Sequence, residues 1–169
     1  MNDAHWHLVV NHFPIIGTIL GLGILIGGLI FKNNSIKNTA YCLFIVAALF
    51  SFASMNTGEG AEEIAEKLPG VTDQIIHEHE EAAEKLAFVL YFLGAISIVG
   101  LYLNVKQNAK ANIVSFLAVT VAAVGVFLAQ QTGTTGGEIR HTEIRTNGTA
   151  TTGATQIETA AGSEAENDD

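Results

Sequence analysis

LVVNHFPIIGTILGLGILIGGLIF, residues 8–31, carries no Asp, Glu, Lys or Arg. A helix of that length crosses the ~30 Å hydrocarbon core of a bilayer, at about 1.5 Å per residue. Three more apolar runs follow, at residues 40–55, 86–105 and 113–130. The second is short by itself, but MNTGEGAEEIAEKL after it can stay helical past the headgroups. The first reads as a span rather than a cleaved signal peptide, because it is long and lacks a basic lead-in. The pattern predicts an all-α integral membrane four-helix bundle made of two helical hairpins, over residues 1–144. Residues 145–169 lack periodicity and end acidic, and they read as a disordered outer tail.

Composition supports a bilayer as the solvent. Apolar residues make up 49% of the chain and charged residues only 15%, and the charges are sorted along it. The connections KNNSIKNTA and KQNAKAN carry lysines alone. Positive-inside reasoning places both in the cytoplasm, so the N terminus, the middle loop and the C terminus face outward. All 17 acids and all six histidines fall on that outer side. A net charge of −9 argues against a nucleic-acid partner. The single cysteine, Cys42, rules out a disulfide or thiolate cluster within one chain.

The outer segment IIHEHEEAAEKL, residues 75–86, separates into two faces at helical spacing. Ile75, Ile76, His79, Ala82, Ala83 and Leu86 share one, so His79 points into the bundle. Asp73, Gln74, His77, Glu80, Glu81 and Glu84 share the other, and His77 reads as part of a solvated surface. The second helix offers a small stripe inward, Ser54, Gly58, Ala61 and Ala65. TGTTGG at residues 132–137 is small as well. Such residues let helices approach closely or leave room for a planar cofactor. His12 lies inside the first apolar run, where a polar group is costly and is a functional candidate. The alternative for His12 is an imidazole satisfied by Asn11, a backbone carbonyl or water. His7 stands one turn and a residue earlier, off that face. Counted along straight helices, His7, His79, Glu59 and Glu62 share one outer layer. Pro69 and Gly70 end the second helix, and Thr72 or Asp73 caps the third.

The halves also resemble each other. Each opens on a His-x-His pair, HWH and HEH, and each closes on a glycine-rich Thr-Gly segment. HLVVNHFPI at residues 7–15 resembles the opening of a bacterial family of small four-helix membrane proteins, domain of unknown function 2231. Thr57–Gly58, His79 and the Gly136-to-His141 spacing are similar to that family too. Leu8 departs from it, where a proline usually follows the first histidine. The resemblance implies a bacterial inner-membrane protein with its histidine-bearing face toward the periplasm. It also implies four cofactor-binding positions: His7, His12, His79 and His141. Some relatives are joined to cytochrome-like domains, which favours redox work by association.

Three functions follow as expectations. The first is a b-type haem protein for electron transfer, with two histidines on the first and third helices as axial ligands. The second is a non-haem metal site for a divalent ion such as zinc, iron or copper, built from His12, His79, Glu59 and Glu62. The third is a cofactor-free accessory subunit of a respiratory or transport complex. The partners implied are the lipid bilayer and a redox or respiratory protein, with self-association left open. No Cys-x-x-Cys-His, Gly-x-Ser-x-Gly, phosphate loop or His-Glu-x-x-His occurs. Covalent haem and hydrolase chemistry are therefore disfavoured.

Overall fold

The computed structural model describes residues 2–145. The stretch read as a disordered tail, residues 145–169, lies outside the described residues apart from Arg145. Within them the chain is all-helical: α1 (Asp3–Val10), α2 (His12–Ile30), α3 (Asn34–Ala65), α4 (Asp73–Val105), α5 (Ala111–Arg140) and a short 3₁₀ turn at Thr142–Ile144. Four rods, with α1 and α2 forming one, are long and apolar enough to cross a membrane.

The break between α1 and α2 has a local cause. Pro14 has no amide hydrogen to give the carbonyl of Val10, four residues back, and its ring crowds that turn. The helical ladder falters at Asn11, whose own amide still reaches the carbonyl of His7 at 2.9 Å. Elsewhere polar residues mark the ends. The Asn33 side chain accepts from the amides of Ser35 and Ile36 and starts α3. Gly70, at φ 77°, turns the chain between α3 and α4. Thr72 then accepts from the Ile75 amide and starts α4, as the sequence predicts.

Both long inner helices extend well past their apolar runs. α3 continues to Ala65 and α4 begins at Asp73, so this hairpin projects a polar, acidic end. α5 stays helical through TGTTGG to Arg140, although glycine costs about 1 kcal/mol per helical position. Arg145 ties this end together. Its guanidinium donates to the carbonyls of Gly70, Glu138 and Ile139, bridging the α3–α4 turn to the end of α5.

Each rod packs against two neighbours: α3 lies between α2 and α4, and α5 between α4 and α2. The first rod and α4 therefore occupy opposite corners of the bundle, as do α3 and α5. The interior is built from small residues that admit a few large ones. Leu25, Tyr41, Phe44, Leu90 and Leu93 are fully buried. A Cβ on Gly21 would fall 2.5 Å from the Phe44 ring, and one on Gly100 would fall 2.5 Å from the Tyr41 ring. The Tyr41 hydroxyl shares a 2.8 Å hydrogen bond with Ser115, which itself donates to the Ala111 carbonyl. Large apolar side chains instead cover the outside, among them Leu49, Phe52, Phe88, Ile98 and Phe116. Small inside and large outside is the reverse of a water-soluble bundle, and it suits lipid contact.

Gly100→Ala drives a methyl into the Tyr41 ring and is expected to cost about 1–3 kcal/mol. Its unfolding midpoint in detergent should fall by several degrees. Gly23→Ala, which meets nothing within 4 Å, should leave the midpoint unchanged or higher. Equal midpoints for the two variants would refute this packing.

Candidate functional site

The faces expected for α4 hold residue by residue. Asp73, Gln74, His77, Glu80, Glu81 and Glu84 are exposed, while Ile76 and Leu86 are buried and His79 is half-buried beside Ala82 and Ala83. His77 pairs loosely with Glu81 at 3.3 Å on that wet surface. The small stripe of α3, Ser54, Gly58, Ala61 and Ala65, is partly buried as well.

Two imidazoles enter the bundle at this polar end, and they are held alike. His7, on α1, sets Nδ1 3.1 Å from the Ser54 carbonyl and 3.3 Å from the Thr57 hydroxyl. Thr57 in turn donates to the carbonyls of Ala53 or Ser54. His79, on α4, sets Nδ1 3.1 Å from the Thr135 hydroxyl. Thr135 donates to the carbonyls of Gln131 or Thr132. Each histidine thus hooks onto a threonine of its own hairpin partner, one turn after a carbonyl. A glycine follows each threonine: Gly58 lies 3.9 Å from the His7 ring and Gly136 only 2.8 Å from the His79 ring, measured from where a Cβ would stand. Gly136 is thus occupied, in effect, by the imidazole. This is a structural use of the small residues in TGTTGG.

The hydrogen bonds assign the tautomers. The Ser54 carbonyl can only accept, so Nδ1 of His7 carries the proton. The Thr135 hydroxyl lies within hydrogen-bond reach of Nδ1 of His79 and of the Gln131 and Thr132 carbonyls; with its proton on a carbonyl it accepts from Nδ1. In that tautomer Nε2 of each ring keeps a lone pair. The rings sit on opposite corners of the bundle and are near enough for their charges to interact. An imidazole that donates from Nδ1 and leaves Nε2 bare is the arrangement of a metal ligand with a fixed orientation.

The other expected positions separate from this pair. His12 is exposed on the outer surface of α2, with Nδ1 3.1 Å from the Leu8 carbonyl. It does not face His79, so an inward His12 is corrected. Five residues along a helix turn a side chain through ~140°, away from the face of His7. His141 is exposed beyond α5 and pairs with Glu143 at 2.9 Å. Glu59 is exposed, and Glu62 turns to Glu80 across the α3–α4 hairpin, a proton shared with Glu80 raising its carboxyl above the usual range. Among the described residues no group of three or more His, Cys, Asp or Glu converges as a metal site. The set His12, His79, Glu59 and Glu62 is therefore not assembled.

Sequence reasoning missed three contributors: Thr57 and Thr135 as anchors, and Asn11. Asn11 lies one turn after His7 on the same face. It makes no cap bond with its side chain, and its Oδ1 is buried without a donor. The paired Thr-Gly segments were the available signal for the anchors. No family model, curated protein or solved structure matches this chain.

His79 stands seven residues before the apolar part of α4. Burial lowers its pKa from the ordinary histidine value, with the neighbouring His7 adding to this and the Thr132 carbonyl opposing it. The unfolded chain takes up this proton near pH ~6.5. Folding holds the ring neutral, so the associated stability is complete above that value and is lost as pH falls through it. Protein prepared without added haem or metal should unfold at lower temperature at pH 5 than at pH 8. His79→Gln should flatten part of that slope. An unchanged slope in the variant would show that His79 is not held neutral.

Proposed function

We propose that this chain is a multi-pass protein of the bacterial inner membrane that carries b-type haem for electron transfer at its polar, periplasmic end. The lysine-bearing connections then lie in the cytoplasm. One observation supports the reading: His7 and His79 enter the same polar end of the bundle from opposite corners, each with its Nδ1 anchored on the neighbouring helix of its hairpin. Their Nε2 atoms would hold the haem iron. The Ser54 carbonyl and the Thr135 hydroxyl fix which nitrogen is protonated and hold each ring against rotation. Gly58 and Ala61 keep the wall of α3 small, while the space at Gly136 is taken by the His79 ring itself. Haem bound in this way supplies one-electron chemistry at iron, which suits a carrier or redox subunit better than an independent enzyme. The acidic rim formed by Glu62, Glu80 and Glu81 would then face a redox partner protein.

A second reading, a hydrated non-haem metal ion on the same two histidines, is favoured by Asn11. A coordinated water would give its buried Oδ1 the donor it lacks. Zinc ordinarily takes three or four protein ligands, so two imidazoles fit it poorly, whereas copper tolerates fewer.

A reduced-minus-oxidised absorption spectrum of the purified protein separates the readings. Sharp α and Soret bands are expected, absent in His7→Ala and in His79→Ala and present in His12→Ala. A featureless spectrum, with stoichiometric metal that the same two variants lose, would replace haem by the ion. Neither signal would sink both and leave a cofactor-free accessory subunit.

A further inference from the structure

At the opposite end of the bundle a lysine is buried with no ion-pair partner among the described residues. Lys37, in the second turn of α3, is 4% exposed. Its stem passes over Gly28, where a Cβ would stand 2.7 Å from Lys37 Cγ. Its ammonium donates to Asn112 Oδ1 at 3.1 Å. That uses one of three N–H bonds and supplies no negative charge. No Asp or Glu occurs in residues 8–55 or 86–137, which together form this end. A buried ammonium without a counter-ion is costly, and buried charges are ordinarily paired.

Asn112 belongs to the first turn of α5. Lys110, at the N-cap, provides no side-chain cap. Among the backbone bonds of this turn, Ala111 donates to Asn108 and Val114 to Lys110, leaving the amides of Asn112 and Ile113 without a carbonyl. The positive end of a 30-residue helix and its free amides thus open beside the Lys37 ammonium. Lys110 adds a mobile positive charge on the same turn.

We propose that Lys37 and the first turn of α5 form a binding site for a phosphate-type oxyanion. The ammonium is already seated, Gly28 leaves space for its stem, and the helix presents donors that a tetrahedral oxyanion fits. The oxyanion comes either from an anionic lipid headgroup or from free phosphate. The site is independent of the histidine pair at the other end.

The test follows the unfolding midpoint of the full chain in phosphatidylcholine nanodiscs. Phosphatidylglycerol is added to the discs, or inorganic phosphate to the buffer at constant ionic strength. The expected result is a midpoint several degrees higher with phosphatidylglycerol, lost in Lys37→Gln and kept in Lys37→Arg. A rise with inorganic phosphate as well, lost in the same variant, shows that a free oxyanion suffices. A rise with phosphatidylglycerol alone identifies the lipid as the source. If Lys37→Gln does not fold, Asn112→Ala, which removes the acceptor of the ammonium, reports on the same contact. No rise with either anion overturns the site. So does a rise that survives in Lys37→Gln and disappears when Lys32 and Lys106 become Gln, because diffuse surface charge would then account for it.

Discussion

The bundle depends on the absence of side chains at a few positions. Gly21 receives the Phe44 ring and Gly100 the Tyr41 ring, and these aromatic groups join Leu25, Leu90 and Leu93 in an interior otherwise rich in small residues. Lipid offers no hydrophobic reward for bringing helices together, since its tails are as apolar as leucine. Close van der Waals contact has to supply the attraction, and that requires backbones near one another. The same rule operates at both ends. Gly136 admits the His79 ring and Gly28 admits the Lys37 stem, so chemistry enters the interior by the route that packing uses.

Much of the fold was legible because helical periodicity survives in α4. Ile76 and Leu86 mark the buried stripe, and the acidic residues mark the wet face with no exception among those tested. His12 was read by its place inside the first apolar run, but place along a helix carries no direction. His7 and His12 are five residues apart, and the helix breaks between them at Asn11. Only the actual path of α1 and α2 tells which ring turns inward. His141 was misplaced for a different reason. It entered through the family resemblance alone, and α5 stays helical to Arg140, which carries His141 past the end.

Lys37 shows what a reading by region leaves out. In the sequence it is one lysine in a short connection, and solvation is the natural assumption. In the structure it has become part of α3, and the first turn of α5 covers its tip. Arg145 is similar: nothing in its neighbours signals a role, yet its guanidinium reaches the Gly70 carbonyl 75 residues away. Long polar side chains near helix ends are decided by what stands opposite them, and a single chain's local pattern does not contain that information.

Each histidine finds its anchor inside its own hairpin: His7 on Ser54 and Thr57, His79 on Thr135. This bears on the order of assembly during synthesis. The first half-site is complete once the chain has emerged to about residue 65, before α4 exists. The second closes by the same local step. The paired arrangement then needs only the association of two finished hairpins, through α3 with α4 and through α2 with α5. Closure within each hairpin lets an imidazole take up its anchor before the two halves of the chain meet.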